Sequence, residues 1–251
     1  MFSSMQELAI RCPEQSTLKL SRSKRFMKPI FSLLFLLLVE SIFAQEAPPN
    51  MGFVRFMNLV DAGTGNTMLK INGKDQWEKG YRLGQKTGAL PYRARKHKFV
   101  VSKEGCLPAE REIVIEKGLS QTIVGFAEEV FDEDGNSLGW QIRIAGLKQH
   151  TPEKGLVVTF VSFCKEESLD LVIDEAQSGK VFRQTVHKRK SERLTLVDKG
   201  RVRASVSCDG EKIGSIKVNS AGNYVAMIFE GDDGKKKLKT FYDPSFMISG
   251  G

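Results

Sequence analysis

The sequence predicts an all-β protein: two tandem small antiparallel β-sandwich domains, related by an internal duplication, after an N-terminal signal peptide. Three observations support this class. Short apolar runs recur between turn residues, no stretch after the N-terminal segment has sustained helical periodicity, and the pattern of the first half returns in the second. A chain of 251 residues, 41% of them hydrophobic, can form one large or two small cores.

The N-terminal segment has the composition of a secretory signal. Basic residues precede an apolar run at 30–39, and small residues follow near Ala44. The run is roughly a dozen residues long, whereas a membrane-spanning helix needs about 20, so a cleaved signal is favoured over a signal anchor. We assign 1–44 to an upstream extension plus signal peptide, with Met27 as an alternative start, and 45–51 to a leader.

The first half is expected to contain six strands that alternate with tight turns. Each turn carries a glycine, which can adopt the positive φ angle that a tight hairpin requires. The expected strands cover 53–59, 68–71, 99–102, 112–116, 121–126 and 139–144. The turn pairs are Asn72–Gly73, Glu104–Gly105, Lys117–Gly118 and Asp134–Gly135.

The second half repeats this rhythm. Its expected strands cover 157–163, 169–173, 181–186, 193–197, 202–207, 213–218, 224–229 and 238–241. Asp209–Gly210 and Asp233–Gly234 provide turns between them. Short strands at such regular spacing are typical of a sandwich or a barrel.

Four segments of the first half align, in the same order, with segments of the second half at an offset of about 102 to 105 residues. The pairs are 53–59 with 157–163, 69–72 with 171–174, 101–105 with 206–210, and 113–126 with 216–229. A nearly constant offset favours a duplication over two unrelated sandwiches. We therefore expect domain 1 at 52–148, a linker at 149–155 and domain 2 at 156–246.

Three cysteines follow the signal segment: Cys106, Cys164 and Cys208. An odd number leaves at least one thiol unpaired, and Cys164 with Cys208 is the only pair inside one repeat that could form a disulfide. Buried free thiols are the alternative interpretation. The chain has no C-x-x-C motif, and its three histidines lack partners at ligand spacing, so no metal and no cofactor are expected.

Motifs of catalysis are missing from the sequence. There is no G-x-S-x-G nucleophile turn and no glycine-rich phosphate loop that opens a helix. The carboxylate pairs at 128–129, 132–134 and 232–233 lie in turn-like segments, where solvated acids are common. The sequence therefore predicts a protein without enzymatic activity.

Two basic runs are the candidate binding residues, in a chain of formal net charge +8. The first consists of Arg93, Arg95, Lys96 and Lys98, and the second of Lys188, Arg189, Lys190 and Arg193. Because they fall near equivalent places of the two repeats, we expect them at one end or face, where they would bind an anionic polysaccharide or an acidic protein. Solvated hairpins are the alternative, and the secretion signal argues against nucleic acid.

The opening of the first repeat, FVRFMN, resembles the AlgF family, the periplasmic accessory protein of alginate O-acetylation. The resemblance lies in a signal peptide, a proline-containing leader, and then Phe53, Val54, Arg55 and Asn58. It implies two β-sandwich domains, a periplasmic location, and a non-enzymatic adaptor role. The implied partners are acetyltransferase-complex proteins of the periplasm or inner membrane.

Two other functions remain open at this point. A secreted β-sandwich module could bind an anionic polymer directly through its basic loops, without any protein partner. A structural protein of the cell envelope would have no ligand at all. Salt-sensitive polymer binding would distinguish the first from the adaptor, since the adaptor's protein contacts do not require polymer.

Overall fold

A computed structural model describes residues 50–148, 155–197, 201–218 and 222–243. Every regular element in these ranges is a β-strand, which confirms the predicted all-β class. The expected signal peptide, most of the expected linker and the end of the expected second domain lie outside the described residues. All described residues belong to one compact unit, in which we call 50–148 the first half and 155–243 the second half.

The first half contains nine strands in two sheets. They are β1 (Met51–Leu59), β2 (Thr64–Ile71), β3 (Lys74–Asp75), β4 (Leu90–Arg93), β5 (Lys96–Glu104), β6 (Cys106–Leu107), β7 (Ala109–Val114), β8 (Ser120–Phe131) and β9 (Ser137–Lys148). One sheet has the order β4-β1-β8-β9-β6 and the other β3-β2-β5-β7. The sequence did not predict β3, β4 and β6, which are short strands at sheet edges.

The second half contains eight strands in two sheets. They are β10 (Leu156–Ser162), β11 (Ser168–Glu175), β12 (Val181–His187), β13 (Ser191–Val197), β14 (Val202–Cys208), β15 (Glu211–Val218), β16 (Gly222–Glu230) and β17 (Lys236–Tyr242). Their orders are β13-β10-β16-β17 and β12-β11-β14-β15. Each half is therefore a two-sheet β-sandwich, as the sequence predicted.

The sheets are mixed rather than purely antiparallel. In each half the first strand lies between two neighbours, one antiparallel and one parallel: β1 pairs in parallel with β8, and β10 with β16. A short parallel pair also joins β6 to β9. Parallel partners are distant in sequence, so a pattern of hydrophobic residues predicts a strand without predicting its neighbour.

Strand pairing supports the duplication at the level of individual residues. Phe56 lies opposite Ile123 in the first half, and Phe160 lies opposite Ala226 in the second. These four residues are the ones that the sequence alignment equates. Apart from the extra edge strand β6 of the first half, the two halves thus share both their strand order and the register of their central parallel pair.

One aligned segment is shifted by two residues. Leu69 lies opposite Val101, whereas Val206, the residue aligned with Val101, lies opposite Ile173 and not Leu171. A shift of two keeps the same alternation of inward and outward side chains. The apolar pattern alone could not reveal it.

Three hydrophobic clusters stabilise the unit. The first half packs around residues such as Phe56 and Phe99, and the second half around Phe160 and Ile173. A third cluster, which we call the junction core, contains residues of both halves. Its members are Met57, Leu59, Val124, Phe126, Val225, Met227, Phe229 and Phe241.

The junction core uses equivalent faces of the two halves. Val124 and Phe126 of β8 occupy the positions that Met227 and Phe229 occupy in β16. Strand β1 is therefore buried on both faces, because Phe56 points into its own sandwich while Met57 packs in the junction core. Equivalent surfaces meet in the same way across the interface of a symmetric dimer.

Candidate functional site

The first basic run spans the end of β4, the turn after it and the start of β5. Arg93 ends β4, Arg95 lies in the following turn, and Lys96 and Lys98 lie on β5. Both lysines face acids on the neighbouring strand β7: Lys96 Nζ lies 3.8 Å from Glu112 Oε2, and Lys98 Nζ lies 2.6 Å from Glu110 Oε1. These exposed pairs add little stability, yet they reduce the positive charge of the run.

The second basic run connects β12 to β13. Lys188 Nζ lies 3.6 Å from Glu167 Oε1, and Arg189 forms an ion pair with Glu128 of the first half. Lys190 is exposed in the turn, and Arg193 lies on β13. This run therefore contributes to the contact between the halves.

The two runs do not lie at the same end of their respective halves, so that expectation was wrong. Arg93 lies opposite Met51 at the start of β1, whereas Ser191 lies opposite Val161 near the end of β10. Strands β1 and β10 are equivalent, so the runs lie at opposite ends of equivalent strand pairs. The first run begins at the end of β4, the fourth strand of the first repeat, whereas the second run lies before and at the start of β13, the fourth strand of the second repeat. The sequence did not predict β4, so this difference could not be seen from the sequence.

A cleft of about 400 Å³ opens between the halves beside the second run. We call it the junction cleft. Its aromatic lining includes Phe126, Trp140 and Phe163, and the Arg189 guanidinium lies 5.1 Å from the centre of the Phe126 ring. Lys165 Nζ lies 5.7 Å from the centre of the Trp140 ring.

Charges in the junction cleft are balanced. Three cations (Lys165, Lys188 and Arg189) and three acids (Asp61, Glu128 and Glu129) line it. Lys165 Nζ also lies 3.8 Å from Glu230 Oε2. Burial raises the pKa of the Asp61 carboxyl, the direction expected for an acid withdrawn from water. A cleft whose cations already have acidic neighbours is poorly suited to capture an anion.

Cys164, Glu166 and Glu230 bring three potential metal-ligand atoms within 4.8 Å of one another. Burial raises the pKa of the Cys164 thiol to about 12, so a metal would have to displace a tightly held proton in order to bind there. Lys236 Nζ lies 2.8 Å from Glu166 Oε1 and lowers the pKa of that carboxyl. This arrangement is a salt-bridge network at the surface of the second half.

The possible disulfide between Cys164 and Cys208 is not formed. Both residues are buried free thiols in the core of the second half, and Cys106 is also free. Burial raises the pKa of Cys208 to about 11. The alternative interpretation, small hydrophobic residues in the core, fits these cysteines.

The hairpin of β8 and β9 is longer than its counterpart in the second half. Strands β8 and β9 have 12 residues each, whereas β16 has 9 and β17 has 7. Near its turn, Phe131 and Leu138 expose 55% and 64% of their surface. Asp132 fixes the turn, since its Oδ1 accepts a hydrogen bond from the Asn136 backbone N–H at 2.7 Å. We call Phe131, Leu138 and the turn between them the hairpin tip.

Asn58 and Arg55, two residues of the AlgF resemblance, have structural roles. Asn58 is 1% exposed, and its Nδ2 donates to the Tyr81 carbonyl at 2.9 Å. Its backbone N–H donates to the Gln85 carbonyl at 2.9 Å, and its carbonyl accepts from the Gly84 N–H at 2.8 Å. Asn58 therefore fixes the connection between β3 and β4, while Arg55 pairs with the second half.

This connection borders a second groove, of about 670 Å³, which sequence reasoning missed. We call it the Trp77 groove. Trp77 is 40% exposed and packs edge-on against Tyr81, with 5.4 Å between the ring centres. Lys79 and Arg82 line the groove from the first half and Lys239 from the second. A tryptophan followed by Lys79 and Arg82 in a glycine-rich connection was the available sequence signal.

No helix in the described residues is long and apolar enough to cross a membrane. Compared with known protein families, the chain matches no family model, and compared with curated proteins it matches none of them.

Proposed function

We propose that the protein is a non-enzymatic periplasmic adaptor that supports O-acetylation of an alginate-like exopolysaccharide by binding proteins of the acetyltransferase complex. The observation that most supports this proposal is the exposed hairpin tip. Two large apolar side chains, Phe131 and Leu138, stand exposed at the end of a hairpin that is longer than its equivalent in the duplicated half. Exposed apolar residues at such a position are typical of a surface that binds another protein.

The hairpin tip also has a defined charge. Glu129, Asp132, Glu133 and Asp134 lie close to its apolar residues along the chain, although the chain as a whole carries a net charge of +8. An apolar centre with an acidic rim is complementary to a partner surface that has an apolar centre and a basic rim. The partner on the acetyltransferase complex should have this character.

The junction core supports an adaptor that holds its partners in fixed positions. Packing of eight apolar residues from both halves makes the two sandwiches one compact unit. A buried ion pair between Arg55 and Asp243 adds a polar contact between the two halves. A rigid arrangement reduces the entropy lost when two partners are brought together.

The chemistry of the described side chains supports a role without catalysis. Burial raises the pKa of all three described cysteines, so their thiols are poor nucleophiles at neutral pH. The basic runs favour the adaptor over a module that binds polymer through those runs. Lys96, Lys98, Lys188 and Arg189 already have acidic partners.

A pull-down from envelope extracts of the native organism tests the proposal. The bait is the secreted chain, 45–251, and the variant is Leu138→Asp, which places a charge in the apolar centre of the hairpin tip. We expect the wild-type bait to enrich a membrane-bound acyltransferase or an SGNH-type protein at least about tenfold over the variant, equivalent to about 1.4 kcal/mol of binding.

Val181→Asp is the matched control, because Val181 is 56% exposed but lies on the outer sheet of the second half. It should capture the same proteins as the wild type. Recovery of polysaccharide without any acetyl-transferring protein would contradict the adaptor role. Equal capture by Leu138→Asp would contradict the assignment of the hairpin tip.

A further inference from the structure

We propose that the Trp77 groove binds an acidic saccharide, with a pyranose ring stacked on Trp77 and its carboxylates paired with Lys79, Arg82 and Lys239. This inference rests on the proposed function, because it names the class of polymer that an adaptor of O-acetylation would hold. It assigns polymer binding to residues outside both basic runs.

The charge of the Trp77 groove differs from that of the junction cleft. Its lining includes three cations and no carboxylate. Among the described residues, none of these cations takes part in a salt bridge, unlike Lys96, Lys98 and Lys188 of the basic runs. Cations without acidic neighbours keep their full attraction for an anionic ligand.

Neighbouring groups increase the positive potential of this region. Lys86 follows the groove residues in the same connection, and its Nζ lies 5.6 Å from the centre of the Phe241 ring. Burial lowers the pKa of Lys86, and the charges of Arg55 and Lys239 lower it further. Because Arg55 and Lys239 both act on Lys86, three positive charges lie close together here.

Trp77 provides the apolar contact that distinguishes a saccharide from a simple anion. The C–H groups on one face of a pyranose pack against an aromatic ring, whose faces carry partial negative charge. Trp77 keeps 40% of its surface exposed while its contact with Tyr81 holds the ring in place. Asn66 and Gln85 provide amide groups at the groove for sugar hydroxyls.

The groove is held in shape before any ligand binds. Hydrogen bonds of Asn58 fix the connection, and the Asn66 Nδ2 donates to the Lys79 carbonyl at 2.7 Å. Gly84 has a φ of +73°, and a Cβ there would lie 3.0 Å from the Phe229 ring of the second half. A preformed site loses less entropy on binding.

Both halves complete this site. Lys239 belongs to β17 of the second half, whereas Trp77, Lys79 and Arg82 precede β4 in the first. The compact packing of the two halves is therefore needed to bring the three cations together.

The two tryptophans of the chain allow a direct test. The Trp140→Phe variant of the secreted chain, 45–251, retains Trp77 as the only tryptophan. We expect its fluorescence to change on titration with a uronic-acid hexamer, with affinity that falls as salt rises. A neutral glucan hexamer should bind at least about tenfold more weakly. Calorimetry with the wild-type chain measures the same affinities without relying on tryptophan fluorescence.

Charge-reversal variants locate the site. Lys79→Glu combined with Arg82→Glu should weaken binding of the uronic-acid hexamer at least about tenfold, and Lys239→Glu should weaken it several-fold. The matched control reverses Arg93 and Arg95 in the first basic run, and it should bind like the wild type. Circular dichroism and urea denaturation verify that each variant is folded.

Several outcomes would overturn the proposal: no binding by calorimetry, equal affinity for the neutral hexamer, equal or tighter binding of a sulfated oligosaccharide, inorganic phosphate or single-stranded DNA, or loss of binding in the Arg93 and Arg95 control. The saccharide site and the adaptor role can be tested independently, because different variants affect them. Leu138→Asp should bind the hexamer normally, and Lys79→Glu with Arg82→Glu should retain the protein partners.

Discussion

Arg55 and Asp243, which are 188 residues apart, form a buried ion pair that joins the two halves of the protein. Arg55 Nη1 lies 3.3 Å from Asp243 Oδ1, and the two side chains are 7% and 8% exposed. Arg55 belongs to the opening strand of the first repeat, and Asp243 follows the last strand of the second. The pair lies beside the junction core and sets the relative position of the halves.

Removing one partner of this pair should strongly destabilise the protein. Arg55→Met should lower the free energy of unfolding by about 3 kcal/mol, because it leaves the buried Asp243 carboxyl without its cation. Urea denaturation measures the loss. The control is Lys70→Met, since Lys70 pairs with Asp75 at 3.6 Å with both side chains at least 40% exposed, and its loss should cost less than about 1 kcal/mol. Equal effects of Arg55→Met and Lys70→Met would contradict the importance of the buried pair.

Asp243 should also contribute to the dependence of stability on pH. Burial raises the pKa of its carboxyl above the usual 3.8, although Arg55 acts in the opposite direction. Between pH 3.8 and the raised value, the native state holds more protons than the unfolded state. The contribution of Asp243 to the free energy of unfolding therefore falls as pH rises through this window.

Denaturation of the wild type and Asp243→Asn between pH 3.5 and 7 isolates this contribution. The stability of the wild type relative to Asp243→Asn should decrease with rising pH and then level off. Arg55→Met should extend the decrease to higher pH, because the loss of the guanidinium raises the pKa of Asp243 further. A relative stability that increases with pH would contradict the predicted direction.

The described cysteines should react slowly with thiol reagents in the folded protein. Raised pKa values of about 12 for Cys164 and about 11 for Cys208 leave little thiolate at pH 8. Alkylation of the folded protein, followed by mass spectrometry, should leave Cys164 and Cys208 unmodified. After unfolding without reductant, all three thiols should be modified. If Cys164 and Cys208 stay unmodified after unfolding, and the protein is lighter by two hydrogen atoms than the mass expected for free thiols, the two cysteines form a disulfide. That result would contradict the prediction.

Asn58→Ala should release the connection that carries Trp77. The variant loses the hydrogen bond to the Tyr81 carbonyl and removes the side-chain oxygen that accepts from the Val60 N–H, at a cost of about 1–3 kcal/mol. The emission of Trp77 in a Trp140→Phe background should shift to longer wavelength as the ring becomes more exposed. Asn136→Ala, in the exposed hairpin turn, is the control and should leave the emission unchanged. An unchanged emission in Asn58→Ala would show that the connection is held by other contacts.

Strands with strong apolar patterns could be predicted from the sequence, because a buried strand shows its burial directly as a run or alternation of apolar residues. Strand β10, LVVTFVS, is buried along its whole length. Strand β4, LPYR, was missed because it is short, contains Pro91 and lies at a sheet edge. Two-residue strands such as β6 have no periodicity to detect.

The parts that could not be predicted depend on contacts between distant segments. The sequence identified Arg55 and Asn58 only through a family resemblance, and neither the Asp243 partner nor the Tyr81 contact has a local signal. Charge runs were a poor guide to a binding site, since a run shows no sign of the acids that face it across a strand pair. The Trp77 groove was missed for the converse reason, because Lys239 joins it from the other half.

The measurement that tests the proposed function most directly is the O-acetyl content of the exopolysaccharide in a strain of the native organism that lacks this protein. We expect acetylation to fall at least about tenfold while the amount of polymer is maintained. Wild-type protein and Val181→Asp should restore acetylation, and Leu138→Asp should not. Normal acetylation in the deletion strain would contradict a role in O-acetylation, and full rescue by Leu138→Asp would contradict the hairpin tip as the docking surface.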